Sequence, residues 1–369
     1  MQRSLLMLIA CFLFYSNAAF TQTENTKIFN PTIKWQFILQ NRFESSLTDS
    51  VDVQNKFNAD PVNNNFRIRR AAIKTDLLLS EKITGTIRLQ LPELKTSTPG
   101  KTIELAYANF KLKDGFQIRA GQFLVPFVLD ELTPYDNLRM IDRGPTSILF
   151  VNSYLASYQP GVMIFGNLLK DKTPLNYYLA AVNASDRSVG YDDNSSKNIL
   201  GRIEFTPIKG VRLAVTDQVI GLKDETGNSY SADISIQEKI NSKVSLLIEG
   251  EYLNGTNVLS YNADTTAAKK IEDFNMGGYE AQALLKFDLN KKWCKLLEVG
   301  GKFENTDPLS SIDENEFSTI TGNIAFNFLP DNNARLQLNF IHTDWKKPIS
   351  GSDAIDAANM FVAQLQLKI

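Results

Sequence analysis

The chain has 369 residues with 41 acidic and 39 basic side chains, and its formal net charge of −2 gives no basic signal for nucleic-acid binding. After the first 18 residues, no apolar run is long enough for a membrane-spanning helix. With one histidine and one cysteine beyond that point, His342 and Cys294, histidine-based metal sites, catalytic triads and internal disulfides are poor candidates.

The first residues are typical of a secretory signal peptide. A positive start at Arg3 precedes an apolar run over residues 5–15 and small residues that suit a signal peptidase. A lipobox ending at Cys11 is the alternative, but further apolar residues follow that cysteine. We therefore predict a signal peptide over residues 1–18 and a single exported domain over residues 19–369.

Hydrophobicity then alternates with a period of two residues along the whole exported domain. In the first such segment, Ile33, Trp35 and Phe37 alternate with Lys34 and Gln36. Comparable segments lie near residues 83–91, 211–219, 244–252, 281–290 and 335–340. Alternation of this kind predicts β-strands with one apolar and one polar face.

The connections between these segments alternate between short and long. Short turns are predicted at residues 80–82, 113–116, 170–174, 207–210, 239–243, 290–292 and 330–333. Long loops are predicted at residues 44–65, 92–101, 129–159, 185–197, 221–227, 254–273, 305–315 and 346–357. A soluble sandwich has no reason to segregate its loops in this way, whereas membrane barrels place short turns on the periplasmic side and long loops outside. We therefore predict an all-β fold: a transmembrane antiparallel β-barrel of about 16 strands, located in a bacterial outer membrane.

Two smaller patterns agree with a barrel that contacts outer-membrane lipid. Phe205, Phe287 and Phe328 lie in the outward phase beside short turns, where an aromatic girdle is expected. Residues 361–369 form a final strand that resembles the signal read by the barrel-assembly machinery.

Several short motifs lie between residues 66 and 161. They are the arginine-rich run 66–71, the pair Ala106-Tyr107, the run Gly121-Gln122-Phe123 with Pro126-Phe127 and Glu131-Leu132-Thr133, the pair Asp142-Arg143, and Gly161-Val162. Together they resemble the phosphate-selective porin O/P family, with the run from Gly121 at the entry to the third loop. The family often has a basic residue just before the Gly-Val pair, where this chain has Gln159 and Pro160.

The resemblance implies an outer-membrane porin through which small hydrophilic solutes diffuse passively, with a preference for phosphate or other anions. Porins of this family usually work as trimers, so a homotrimer is expected. Because of the departure at Gln159 and Pro160, a non-selective general diffusion porin stays the alternative. No cofactor is implied.

Arginine is concentrated early in the exported domain, with eight of its twelve arginines between Arg42 and Arg143. Those in the polar phase of their strands, predicted to face the lumen, are Arg42, Arg88, Arg119, Arg202 and Arg212. In the second strand Arg67, Arg69 and Arg70 cannot all face inward unless a β-bulge intervenes.

Guanidinium groups bind oxyanions through two parallel hydrogen bonds and stay charged at any physiological pH. We therefore predict an anion path lined by Arg42, Arg67, Arg69, Arg88, Arg119, Arg139, Arg143, Arg202 and Arg212. Arg139 and Arg143 lie on the third loop, residues 129–159, which we expect to form the constriction. In the alternative interpretation, the arginines only pair with luminal acids such as Glu104, Asp130, Glu131 and Glu204.

Other classes of protein have less support. A barrel enzyme would need a base, and His342 is better interpreted as an interfacial strand residue; no Gly-x-Ser-x-Gly motif is present. A receptor barrel would be expected to carry a plug or an extracellular domain. Loops near residues 191–196, 261–266 and 306–316 have oxygen ligands for calcium, but their spacing fits no EF-hand and favours solvated loops.

Overall fold

The structure is a computed structural model that describes residues 29–96, 99–169, 173–185, 195–223, 225–266, 269–349, 351–352 and 354–369. The predicted signal peptide, residues 1–18, lies outside the described residues, as does most of the loop at residues 191–196.

Sixteen strands in the described part of the chain form one closed antiparallel barrel, in which each strand pairs with its neighbours in sequence and β1 pairs with β16. The strands are β1 Thr32–Ser46, β2 Asn64–Leu78, β3 Ile83–Gln90, β4 Ile103–Lys113, β5 Phe116–Leu124, β6 Tyr158–Asn167, β7 Leu175–Asn183, β8 Lys197–Ile208, β9 Val211–Gly221, β10 Thr226–Lys239, β11 Val244–Thr256, β12 Asn275–Asp288, β13 Leu296–Asp307, β14 Phe317–Asn327, β15 Ala334–Trp345 and β16 Ala357–Lys368. The predicted 16-strand barrel is confirmed. Closure removes the exposed strand edges, whose unpaired polar groups a bilayer does not tolerate.

Short and long connections alternate around the barrel as predicted, with one exception. The predicted long loop at residues 221–227 is wrong, because β9 and β10 extend until only residues 222–225 join them. The start of β1 and the end of β16 lie at the end that carries the short turns. The long loops contain the helices α1 Leu129–Leu132, α2 Pro145–Asn152 and α3 Val258–Ala263. Short 3-10 helices occur at Leu91–Lys95, Pro99–Thr102, Ile271–Phe274 and Pro330–Asn332. None of the helices in the described ranges has both the length and the apolar composition to cross a membrane.

The two faces of each strand differ in composition as the alternation predicts. On β11 the outward-facing Ile248 and Tyr252 are 38% and 47% exposed, while Glu249 and Glu251 are buried inside the barrel. His342 on β15 lies in the outward phase near the mouth, where it contacts Asn359 and Asp344 on the outer face. The outer surface is mainly apolar, which suits lipid, and most charged groups lie in the interior or at the rims; Asp217 on β9 is an exception.

A β-bulge changes which arginines of β2 face the lumen. Gln40 of β1 pairs with Arg70, but the next residue, Asn41, pairs with Ile68, so Arg69 is an extra residue in the ladder. Because the bulge resets the alternation, Arg67 and Arg70 can both face inward although they are three residues apart. The β-bulge that an inward cluster of arginines on β2 requires is therefore present.

Neighbouring substitutions on β10 test the assignment of faces. Ile234 faces outward near the middle of the strand, and Ser235 faces the interior. We expect Ile234→Arg to destabilise the barrel by about 2–4 kcal/mol, since it brings a charge into the hydrocarbon layer. Ser235→Arg is expected to be close to neutral. Urea unfolding in vesicles, followed by heat-modifiable gel mobility, measures both, and equal losses for the two variants would contradict the assignment.

Candidate functional site in the barrel lumen

The third long loop, residues 125–157, folds back into the barrel and crosses its lumen. The Leu129 amide donates a hydrogen bond to Glu251 Oε1 on β11 (2.8 Å), and the Ile141 amide donates to Asn339 Oδ1 on β15 (2.7 Å). The loop is thus held by separate parts of the wall. An outer cavity of about 700 Å³ lies on its long-loop side, and an inner cavity of about 460 Å³ lies on its turn side.

An apolar core fixes one side of the loop. Phe127 and Phe150 of the loop pack with Phe123 of β5 against the inward-facing Met163 of β6 and Leu200 of β8, and each is at most 2% exposed. The period-two pattern predicts a polar lining for a membrane barrel. Here the loop covers the wall, so apolar side chains at inward positions are buried from water and stabilise the loop.

Arg42 on β1 fixes the loop from the other side. Its Nη1 and Nη2 lie 2.5 and 2.9 Å from the two carboxylate oxygens of Asp142, and Nη1 also lies 3.0 Å from Glu44 Oε1. Burial alone would raise the pKa of Asp142, but Arg42 and Arg69 hold it well below its usual range. Arg42 is 2% exposed and lines neither cavity, so its observed role is to anchor the loop.

Lys302 on β13 holds the loop among several carboxylates. Its Nζ lies 2.8 Å from Asp130 Oδ2, 3.0 Å from Glu280 Oε2 and 3.5 Å from Glu304 Oε1. Gly144 lies directly against this cluster, because a Cβ at that position would come within 1.6 Å of Glu304 Oε1. A side chain at residue 144 would therefore require the buried Glu304 carboxylate or the loop to shift.

The outer cavity is bounded by β1–β4, the third loop and β14–β16. Its charged lining residues are Glu44, Arg67, Arg69, Arg70, Glu93, Lys101, Glu104, Glu131, Asp142 and Arg143. Arg67 contacts Glu44 (2.6 Å), and Arg69 contacts Asp142 (3.5 Å). Arg143 Nε lies 2.9 Å from Glu131 Oε1. The ten charges of the lining are therefore five basic and five acidic side chains, several of them in ion pairs.

Arg70 differs from the other arginines of this cavity. It is 5% exposed and has no carboxylate partner among the described residues; its Nη1 donates to Gln40 Oε1 (2.9 Å). Its guanidinium lies 5.1 Å from the ring centre of Tyr135, and that of Arg88 lies 4.7 Å from the same ring. Arg88 pairs with Glu104 (2.7 Å). In and behind the cavity, seven basic side chains accompany five carboxylates: Arg42, Arg67, Arg69, Arg70, Arg88, Lys101 and Arg143, with Glu44, Glu93, Glu104, Glu131 and Asp142.

The inner cavity, on the turn side, is lined by four basic and three acidic side chains. Arg139 forms a two-point ion pair with Glu249, with both distances 3.1 Å, and Arg212 contacts Asp233 (2.8 Å). Both arginines line this cavity together with Lys286 and Arg335. Arg335 is 2% exposed as a residue and donates to the Leu138 carbonyl, so it also supports the loop.

The remaining predicted arginines lie inside the barrel without lining either cavity. Arg202 is 1% exposed and pairs with Asp233 (2.8 Å). Arg119 donates to Asn109 Oδ1 (2.8 Å), and its guanidinium lies 4.3 Å from the ring centre of Tyr107. Contacts between a cation and aromatic faces stabilise a charge without a carboxylate.

The structure divides the nine predicted arginines into three groups. Arg67, Arg69 and Arg143 line the outer cavity, Arg139 and Arg212 line the inner one, and Arg42, Arg88, Arg119 and Arg202 line neither. Eight of the nine, all except Arg119, contact a carboxylate, as the alternative interpretation expects.

Sequence reasoning did not select four residues of this site: Arg70, Tyr135, Lys302 and Arg335. The alternation in β13 and β15 does predict that Lys302 and Arg335 face inward. The sequence alone does not predict the β-bulge at Arg69 or that Tyr135 lies deep in the lumen. The loops near residues 191–196, 261–266 and 306–316 were interpreted as solvated loops, and the described residues include no cluster of three or more His, Cys, Asp or Glu with metal-binding geometry.

Replacing Gly144 tests how closely the loop contacts the wall. Gly144→Ala forces the loop or Glu304 to move, and we expect a loss of about 1–3 kcal/mol, the usual cost of overpacking. Gly322→Ala is the control, since the nearest atom to its added Cβ is 4.0 Å away. The urea midpoints of the folded proteins measure the difference. Equal midpoints would show that the loop does not rest on Glu304.

The comparisons with known proteins agree with this architecture. The sequence model of the family described as phosphate-selective porin O and P matches residues 44–257. None of the curated proteins compared with the chain matches it. An anion-selective porin from Comamonas acidovorans superposes with a TM-score of 0.62 at 9% identity, covering 92% of this chain and 100% of its own.

Two further outer-membrane proteins have a similar fold. The outer membrane channel DcaP of Acinetobacter baumannii gives a TM-score of 0.59 at 9% identity, over 92% of this chain and 98% of its own. OmpT of Vibrio cholerae, in its trimer form, gives 0.57 at 10% identity, over 92% and 100%. At such low identity these likenesses show the fold alone.

The family match extends over more than half of the chain, and the closed barrel with its inward third loop is the architecture of a channel. Together they indicate an outer-membrane location. The chain therefore belongs to the phosphate-selective porin O and P family of outer-membrane porins.

Proposed function

We propose that this porin conducts small anions, phosphate among them, and that its outer cavity selects them. The observation that carries the proposal is the excess of seven basic side chains over five carboxylates in and behind that cavity. Arg70 supplies a cation without a carboxylate partner among the described residues, and Arg67, whose side chain is 45% exposed, also lines the cavity. Charge of one sign along a low-dielectric passage raises the local concentration of the opposite ion.

The proposed path runs from the outer cavity past the third loop to the inner cavity. Residues 129–159 act as the constriction, and Arg139, Arg212, Lys286 and Arg335 receive the anion on the turn side. Conduction needs several sites that bind weakly. Arginines that already contact carboxylates suit this requirement, because each presents only part of its charge to a passing ion.

The remaining proposals concern export and assembly. We propose that residues 1–18 are cleaved as a signal peptide and that the barrel-assembly machinery inserts the barrel. The apolar outer face would then contact outer-membrane lipid. A homotrimer is the proposed assembly, and the trimer form of OmpT, an outer-membrane protein with a similar fold, supports it.

A general diffusion porin without anion preference is the second candidate. It is favoured by the pairing of eight of the nine predicted arginines with carboxylates. If pairing cancels the charge of the lumen, solutes would be separated by size alone. The two candidates differ in the zero-current potential of the channel under a salt gradient.

Charge reversal in the outer cavity separates the candidates. Arg67→Glu takes the net charge of the cluster from two positive charges to none, so we expect the anion preference to be lost. Lys347→Glu makes the same change on an exposed outer loop and is expected to leave the potential unchanged. Planar-bilayer recordings under a KCl gradient, followed by titration with phosphate, measure both variants. An unselective unmodified channel would refute anion selection.

The pH dependence of the selectivity gives a second test. Burial raises the pKa of Glu131, on the third loop, to about 7, although Arg143 opposes the shift. Glu131 is therefore charged at pH 8 and neutral at pH 6, where Arg143 acts with less compensation. We expect the anion preference to increase as the pH falls from 8 to 6. Glu131→Gln should abolish this change and keep the stronger preference at both pH values; an unchanged response in this variant would contradict the assignment.

A further inference from the structure

The outer cavity has an apolar wall that the passage of inorganic ions does not require. Five inward-facing residues of β14–β16 line it: Phe317, Ile341, Trp345, Met360 and Val362. Inward positions of membrane barrels are normally polar, because they contact water. Phe317 pairs with Trp345 near the mouth, and Ile341 pairs with Met360 deeper in the lumen, with Thr319 and Thr343 between the two pairs. Three adjacent strands thus depart from that rule on one side of the cavity.

Helix α2 of the third loop adds to this apolar surface. Ile148 and Val151 are three residues apart, so they lie on one face of the helix, and both line the outer cavity. Phe150, in contrast, is completely buried in the core against the wall. Ile148 remains 44% exposed inside the lumen, where no lipid reaches it. An exposed apolar side chain in such a place indicates a surface that binds something.

Next to the apolar surface lie two polar groups without full partners. Tyr135 is 3% exposed, and its hydroxyl makes no hydrogen bond with any described residue. Arg70 lies over the Tyr135 ring without a carboxylate partner in the described ranges. A buried donor that lacks an acceptor costs free energy. An oxyanion in the cavity would supply acceptors for both side chains.

We infer that the outer cavity binds a small amphipathic organic anion. The phosphate, sulfonate or carboxylate group lies at Arg69 and Arg70 beside the Tyr135 hydroxyl. The apolar or aromatic body packs against Ile148 and the wall of β14–β16. The cavity volume of about 700 Å³ is within the range of small-molecule sites, roughly 300–1,000 Å³, and far exceeds what one inorganic phosphate fills. The inference rests on the proposed anion preference and names its substrate class.

Current block in single reconstituted channels tests the inference with matched probes. Phenyl phosphate and inorganic phosphate share a head group and differ in the apolar body, while phenyltrimethylammonium keeps the ring and reverses the charge. We expect phenyl phosphate to block at about a tenfold lower concentration than inorganic phosphate, because part of the ring leaves water. Phenyltrimethylammonium is expected not to block in this range.

Two variants test whether the apolar surface causes the difference in blocking concentration between phenyl phosphate and inorganic phosphate. Ile148→Ser should bring the blocking concentration of phenyl phosphate close to that of inorganic phosphate and leave the latter unchanged. Leu259→Ser makes the same kind of change at an exposed position of α3 outside the cavity and should have no effect.

The other possible outcomes distinguish a failure of this inference from a failure of the proposed function. Equal block by the two phosphates in an anion-selective channel would overturn this inference and leave the proposed function standing. Equal block by the cationic probe would also overturn it, since the charged half of the site would be wrong. No anion preference and no block by either phosphate would refute the proposed function and this inference together.

Discussion

The ion pair between Arg42 and Asp142 determines where the third loop lies, and the loop determines what remains of the lumen. Removing one partner of a buried pair typically costs about 3–5 kcal/mol, because the other charge is left without compensation. Lys302 holds the same loop from β13, and the core around Phe127 holds it from β5–β8. With anchors on several walls, the loop cannot leave one wall without breaking contacts at the others. The two cavities are therefore set by buried contacts rather than by a mobile flap.

These anchors also determine the charge that the lumen presents. Asp142 and Glu131 belong to the loop, and their carboxylates contact Arg42, Arg69 and Arg143. Pairing of this kind was the argument against an anion path, but it does not remove the excess of arginine. An unpaired cation in a low-dielectric lumen would hold an anion strongly and slow its release. Partial compensation gives weak sites in sequence, so the structural pairs and an anion path are compatible.

The sequence predicts the barrel well because its strands are specified locally. Alternation of apolar and polar residues indicates each face, and the segregation of loop lengths indicates the two ends. The contacts inside the lumen are harder to predict from the sequence, because they join residues that are distant along the chain. Asp130 contacts Lys302, and Arg42 contacts Asp142. The extra residue at Arg69 can be suspected from three nearby arginines, but its position depends on pairing with β1.

The apolar part of the lumen was missed for a related reason. Met163 and Leu200 lie in the inward phase of their strands, and a strict alternation rule assigns that phase to water. The rule fails where the third loop covers the wall, because covered positions are packed like a protein core. A second apolar surface, near Ile148 and Trp345, lies where the loop leaves the wall open. Tyr135, Asp142 and Ile148 all belong to the same anchored loop, so the polar and apolar parts of the outer cavity keep a fixed relation to each other. A site of this kind distinguishes solutes by the arrangement of charge and apolar surface within one molecule, which neither pore width nor net charge alone can do.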